Sequence, residues 1–332
     1  MKLIGLIAFR DEEPFLPFLL ASIQGVVDGV VALDDRSRDG GAALVEQWGG
    51  HVVSAPPGES FGARRQHLLD IGRARGGTHF LCLDADEALT AQFGGSARDR
   101  IGSLRPGQAL AVPFHTLWKG DAEVRRGREY ALPLTCAFAD DGSTNYDIVE
   151  LHEPRVPAAY ADERVRLPAA TGGIVHFQFT AWRRAQVKQA WYRCREMLTG
   201  ADPLSVNAHY LTTMDTSLTR TRPSDPSWFA LMPDRTALFD LAASWHRDAL
   251  FQWLDEFGVE HFERLHIWQV PELRERFVEQ TGRQPQPDPM AAVLARRGLS
   301  TSNELSRALA GKVRRRLGRG RLTPPKVSSS GR

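Results

Sequence analysis

The chain is short of three things. Cysteine is scarce: Cys82, Cys136 and Cys194 are three in 332 residues, an odd number and far apart. Neither a disulfide framework nor a zinc ribbon fits that spacing, and a reducing cytoplasm is the simplest setting. Long apolar runs are missing, since none approaches the roughly 18 residues that a membrane-spanning helix requires. The first run, Leu3–Phe9, meets Arg10, Asp11, Glu12 and Glu13 at once, so it reads as neither a signal peptide nor an anchor. Acid is missing from the end: Lys312 to Arg332 holds eight Lys or Arg and no Asp or Glu. Of the 42 basic and 40 acidic residues, 34 and 40 then belong to the remainder, a net of −6. A mildly acidic body is no obvious nucleic-acid binder. The basic tail is expected to be disordered or to lie against anionic lipid.

What is present suffices for a core, with 42% apolar and 25% charged residues. Over the first 90 residues, strand and helix signals alternate. Leu3–Phe9, Gly29–Leu33, His51–Ser54 and Thr78–Leu83 read as buried strands. Glu13–Ile23, Gly41–Trp48 and Phe61–Ala74 read as the helices between them. That order implies an α/β fold with a mostly parallel sheet covered on both faces. Ligands bind such sheets beyond the carboxyl ends of the strands. Residues 91–175 read as sheet extensions and loops, Ile174–Phe179 as one more strand and Thr180–Leu198 as a long helix. After Gly200 the pattern is helical, over Ala237–Phe257, Glu260–Trp268, Pro271–Gln280 and Met290–Leu309. Trp182, Trp191, Trp245, Trp253 and Trp268 fall on helices, where indole serves either a core or a sugar platform.

Acid clusters stand at the ends of three of these strands. Asp84-Ala85-Asp86 follows the fourth, and alternate residues of an extended segment point the same way. Two convergent carboxylates make a hard oxygen site for Mg²⁺ or Mn²⁺. Taken alone the motif fits a solvated turn or a helix cap equally well. Asp34-Asp35-Arg36-Ser37-Arg38-Asp39-Gly40 follows the second strand, where a carboxylate would meet a nucleobase N–H or ribose hydroxyls. Arg10-Asp11-Glu12-Glu13 follows the first.

The order of these motifs resembles family 2 glycosyltransferases. Ile7 to Leu19 is similar to their opening segment, which often reads Arg-Asn-Glu-Glu before a Leu-Pro helix. Leu33-Asp34-Asp35-Arg36-Ser37-Arg38-Asp39-Gly40 is similar to their Asp-Asp-x-Ser-x-Asp-Gly, Gly62-Ala63-Arg64-Arg65-Gln66 to their Ala-Arg-Asn segment, and Leu83-Asp84-Ala85-Asp86-Glu87 to their Asp-x-Asp element. Asp11 and Gln66 depart from the family's usual Asn. The resemblance covers residues 3–90. It implies a GT-A fold (Rossmann-like), a nucleoside-diphosphate sugar donor and a divalent cation, Mn²⁺ or Mg²⁺. By position, Arg10, Glu12, Asp34, Asp35, Arg65 and Asp84 would serve the donor. Asp84 and Asp86 would serve the metal, with Asp86 the more direct ligand.

An inverting transfer needs a carboxylate base on the acceptor side. Asp147, Glu150 and Glu153 are the candidates. The pair His152-Glu153, followed by His176 and then Lys188 and Tyr192, resembles the lipopolysaccharide-core branch of the family. That resemblance makes Glu153 the base, while His152 would orient Glu153 or line the donor site; the plainer role of Glu153 is a surface pair with Arg155. His176 would complete the metal sphere, bind a phosphate or sit in the core.

The expected organisation is a catalytic domain at 1–199, a helical region at 200–311 and a basic tail at 312–332. The expected acceptor is a glycan, lipid-linked or other glycoconjugate of the cell envelope. The expected place is the cytoplasm, with peripheral contact at the inner face of the membrane and no nucleic-acid partner. Two other functions fit the same acids: a nucleotidyltransferase or diphosphate hydrolase, which would usually show a glycine-rich loop after the first strand, and a non-catalytic scaffold.

Overall fold

The computed structural model describes residues 1–56, 61–127, 132–147, 154–241 and 245–298. Glu150, His152, Glu153 and the basic tail lie outside the described residues. Among the described residues twelve strands form: β1 (Leu3–Phe9), β2 (Gly29–Asp34), β3 (His51–Ser54), β4 (His79–Asp84), β5 (Glu87–Leu89), β6 (Ala109–Val112), β7 (Phe114–Thr116), β8 (Glu123–Arg126), β9 (Leu134–Ala139), β10 (Arg164–Arg166), β11 (Ile174–His176) and β12 (Arg220–Pro223). The helices are α1 (Leu16–Ile23), α2 (Gly41–Trp48), α3 (Phe61–Ala74), α4 (Ala91–Gly102), α5 (Trp182–Leu198), α6 (Pro203–His209), α7 (Leu211–Met214), α8 (Trp245–Phe257), α9 (Pro271–Thr281) and α10 (Met290–Arg296).

The main sheet runs β10-β6-β9-β4-β1-β2-β3, and β9 alone opposes its neighbours. The expected α/β class, mostly parallel sheet and C-terminal helices are all present. Strand order reverses at β1, with β2 on one side and β4 on the other. A crevice opens beyond the strands at such a point. The register makes the three strand ends flush, because Phe9 lies opposite Asp34 and Ala8 opposite Asp84.

Alternation assigns the two faces. Leu3, Ile7, Phe9, Val30, Ala32, Leu81 and Leu83 pack with Leu16, Leu19 and Ile23 of α1 and Phe93 and Ile101 of α4. Ile4, Leu6, Val31, Leu33, Phe80 and Cys82 pack on the other face with Leu68 and Leu69 of α3. Side chains of period two feeding two separate clusters is what a sheet buried on both faces requires. All three cysteines are buried free thiols.

A small second sheet, β5-β11-β7, brings His176 toward the acid loop. His176 lies opposite Glu87, and the Phe177 amide donates to the Asp86 carbonyl at 2.8 Å. Gly172 and Gly173 admit β11 to this place. A Cβ on Gly172 (φ +74) would come within 2.2 Å of Thr90 Oγ1, and one on Gly173 within 2.0 Å of the Pro113 carbonyl oxygen. The strand expected over Ile174–Phe179 stops at His176, and the chain then turns from Gln178.

The unit built on the sheet comprises Met1–Lys188 and Thr219–Ala249, whereas the sequence placed its first boundary at residue 199. In the second unit, Ala208 and Leu211 pack with Val293 and Leu294. Arg193 is fully buried there and donates to Tyr210 O and Thr213 Oγ1. Trp191 and Trp268 are buried, the core role rather than the platform. The helix expected over Ala237–Phe257 begins only at Trp245. Leu238 instead joins Trp228 and Phe229 in a cluster beneath the small sheet. The segment Glu260–Trp268 is a 3-10 turn over Val259–Phe262 and further turns, not a helix. No helix among the described residues is long and apolar enough to cross a membrane.

Candidate active site at the ends of strands β1, β2 and β4

The loops after β1 and β2 are stitched together. The Asp11 amide donates to Ser37 Oγ, and the Arg38 amide returns a bond to Asp11 Oδ1. The Glu13 amide donates to Asp39 Oδ2, and the Gly40 amide to Glu13 Oε2. Asp11 and Arg36 adopt positive φ (50° and 59°), conformations that Asp tolerates and Arg takes only where the surroundings hold it. Asp34 caps its own turn, accepting from the Ser37 amide at 2.9 Å.

Asp35 is the carboxylate this turn turns inward. It is buried and meets Arg64 at 2.8 Å, Arg36 at 3.1 Å and Arg10 at 3.9 Å. Asp34 stays a candidate for the nucleoside beside it, with one carboxylate oxygen engaged in the turn. The next position along α3 serves the neighbouring loop, for Arg65 meets Asp84 at 3.2 Å.

Asp84 and Asp86 have different partners. Asp84 is 39% exposed and held by Arg65 and Arg155. Desolvation raises its pKa, yet the two guanidinium groups outweigh that and bring it down to about 2. Asp86 is buried; its Oδ2 accepts from Lys188 Nζ at 3.2 Å, and its Oδ1 lies 3.4 Å from His176 Nε2. Burial works against ionisation here too, but Lys188 and His176 hold Asp86 well below the usual carboxylate range. Asp86 and His176 were expected together and are brought together. Among the described residues no three His, Cys, Asp or Glu side chains cluster so as to hold a metal by themselves.

Glu12 completes the centre from the β1 side. It is buried and accepts from Arg184 at 2.7 Å. Arg184 and Lys188 lie four residues apart on α5, hence on one face, and reach Glu12 and Asp86 in turn. Burial pushes Glu12 up to about 7 against the pull of Arg184 and Lys188, with Asp86 adding to the rise. Between pH 4.5 and about 7 the native state therefore keeps a proton that the unfolded chain loses. The contribution is complete below pH 4.5 and is lost as pH rises through 7. Glu12→Gln is expected to flatten this slope: melting temperatures at pH 5 and pH 8 should differ less in the variant than in the wild type.

Sequence reasoning missed Arg64, Arg184, Glu87 and the pairing of Arg155. Glu87 is fully buried and bonds Arg155 through Oε1 and the Asp84 amide (3.0 Å) through Oε2. Arg155 therefore spends its guanidinium on Asp84 and Glu87. The i, i+4 basic pair on α5 was the one local signal that would have found Arg184. Glu87 stands next to the Asp84-Ala85-Asp86 motif, and nothing local in the sequence sets it apart.

No protein-family model matches the chain. A TPR repeat-containing protein of Synechococcus elongatus, Synpcc7942_0270, is 33% identical over 92 residues, 28% of this chain; the chain spans 22% of that protein's length. Among solved structures the chain is similar to TarS of S. aureus, residues 1–349, with 15% identity, 83% of each chain and a TM-score of 0.41. It is also similar to glucosyl-3-phosphoglycerate synthase of Mycobacterium tuberculosis, with 18% identity over 34% of this chain and 43% of that one, TM-score 0.29. Mannosyl-3-phosphoglycerate synthase of Rubrobacter xylanophilus gives 19%, 39%, 43% and 0.29.

Proposed function

We propose that the chain is a GT-A glycosyltransferase of the family 2 type, moving a sugar from a nucleoside-diphosphate donor to a glycan or glycoconjugate acceptor. One observation carries the reading. Acids and cations from three separate strand ends, with His176 and the α5 pair, converge beyond β1 and β4, where strand order reverses.

Asp35 suits the nucleoside, as a buried carboxylate that accepts N–H or O–H donors. Arg65 and Lys188 suit the diphosphate. Asp86 and His176 suit a divalent cation, because Mg²⁺ and Mn²⁺ sites of this kind use one or two protein groups and take the rest from substrate phosphates and water. When bound, that ion supplies neutralising charge to the leaving diphosphate. Asp84 acts through Arg65 and Arg155 rather than as a bare ligand. The acceptor hydroxyl attacks the anomeric carbon, its proton passes to Glu153, and the bond to the diphosphate breaks with its electron pair on the phosphate oxygen. The acceptor class that suits this reading is a glycan or glycoconjugate of the cell envelope.

Thermal-shift titration with UDP, GDP, CDP and dTDP, with and without Mn²⁺, tests the donor reading. A rise in melting temperature that requires both nucleotide and Mn²⁺ is expected. No such rise would favour a scaffold. Pyrophosphate or nucleoside monophosphate release without sugar transfer would favour the nucleotidyltransferase or hydrolase.

A further inference from the structure

Helix α8 begins at Trp245, more than 200 residues after the β1 loop, yet its first turn is fastened to the loops of the candidate donor site. The Arg10 guanidinium carbon lies 4.3 Å from the centre of the Trp245 ring. Three residues on, and so on the same helix face, Asp248 pairs with Arg38 at 2.7 Å. The Arg38 amide in turn donates to Asp11 Oδ1. His246, between them, is buried, with Arg10, Arg184, Lys188 and Asp86 as its charged surroundings.

Arg10 itself is unusual. Among the described residues its nearest carboxylate, Asp35, is 3.9 Å away and already bonded by Arg64 and Arg36. Arg10 Nε is buried without a hydrogen-bond partner. No side-chain hydrogen bond among the described residues fixes its plane. A guanidinium carries five donors in a rigid fork suited to phosphate. Here an aromatic face holds that fork while its donors stay available.

We infer that Trp245 is a positioning residue for the donor site, holding Arg10 edge-on to a phosphate or base of the nucleotide. The inference rests on the donor reading above and adds to it a residue outside the strand-end motifs. Trp245 touches no reacting atom; it acts through Arg10.

The test is calorimetric titration of UDP, GDP, CDP and dTDP in the presence of Mn²⁺ against wild type, Trp245→Ala, Trp245→Phe, Arg10→Ala and the double variant Arg10→Ala/Trp245→Ala. Trp245→Ala is expected to weaken binding about tenfold, the scale of a desolvated cation–π contact, and Trp245→Phe to restore most of it. In the Arg10→Ala background, loss of Trp245 should cost nothing more. Equal losses in both backgrounds, or an unchanged Trp245→Ala beside a binding wild type, would overturn the positioning role and leave the donor reading intact. A wild type that binds none of the four nucleotides would overturn both. The phenylalanine variant keeps the helix start packed, so its rescue separates positioning from folding.

Discussion

Asp86→Asn is expected to lower the rate of sugar transfer by about 10²–10³-fold, the usual loss when one group stabilising transition-state charge is removed. Asparagine keeps the size and the acceptor oxygen for Lys188 but not the charge. Asp86 is the strongest choice for this test because its ionisation is secured from two sides, by Lys188 at 3.2 Å and His176 at 3.4 Å. A buried carboxylate kept ionised at such cost has charge to offer a cation or a departing diphosphate. The variant should also lose the Mn²⁺ dependence of nucleotide binding. Circular dichroism should show it folded. Turnover with radiolabelled donor within a few-fold of wild type would sink the assignment of Asp86 to the metal.

Arg155→Met is expected to destabilise the protein by about 3–5 kcal/mol, the cost of stripping one partner from a buried ion pair. For a chain of 332 residues that corresponds to roughly 4–7 °C in melting temperature. The reason is Glu87, which has no exposed surface and faces Arg155. Asp84 adds less, since it is 39% exposed and keeps Arg65. Glu87→Gln retains an acceptor for the Asp84 amide, so the pair Arg155→Met/Glu87→Gln should recover most of the loss. Additive destabilisation of the two changes would show that Arg155 supports the fold by packing and not by charge.

Much of the frame was legible because it is local. A strand buried on both faces is a short apolar run, and β1, α2, β3 and α3 fall where the runs and their punctuation place them. The acid loops were legible for the same reason, since each is a contiguous motif after a strand. Helix α8 was misjudged because Leu238 and Leu241 continue its apolar spacing although they serve another cluster. Periodicity records that a residue is buried, not against what.

Sequence alone determined the mostly parallel sheet, the three charged loops at its carboxyl edge and the candidacy of Asp35, Asp86 and His176. Tertiary structure decided which charge answers which. Asp84 went to Arg65 and Arg155, Asp86 to Lys188 and His176, and Glu12 to Arg184. The physical reason is range. Strand identity follows from neighbours a few residues apart, whereas ion pairs spanning 19 to 172 positions depend on how helix faces and sheet edges meet after the chain has packed.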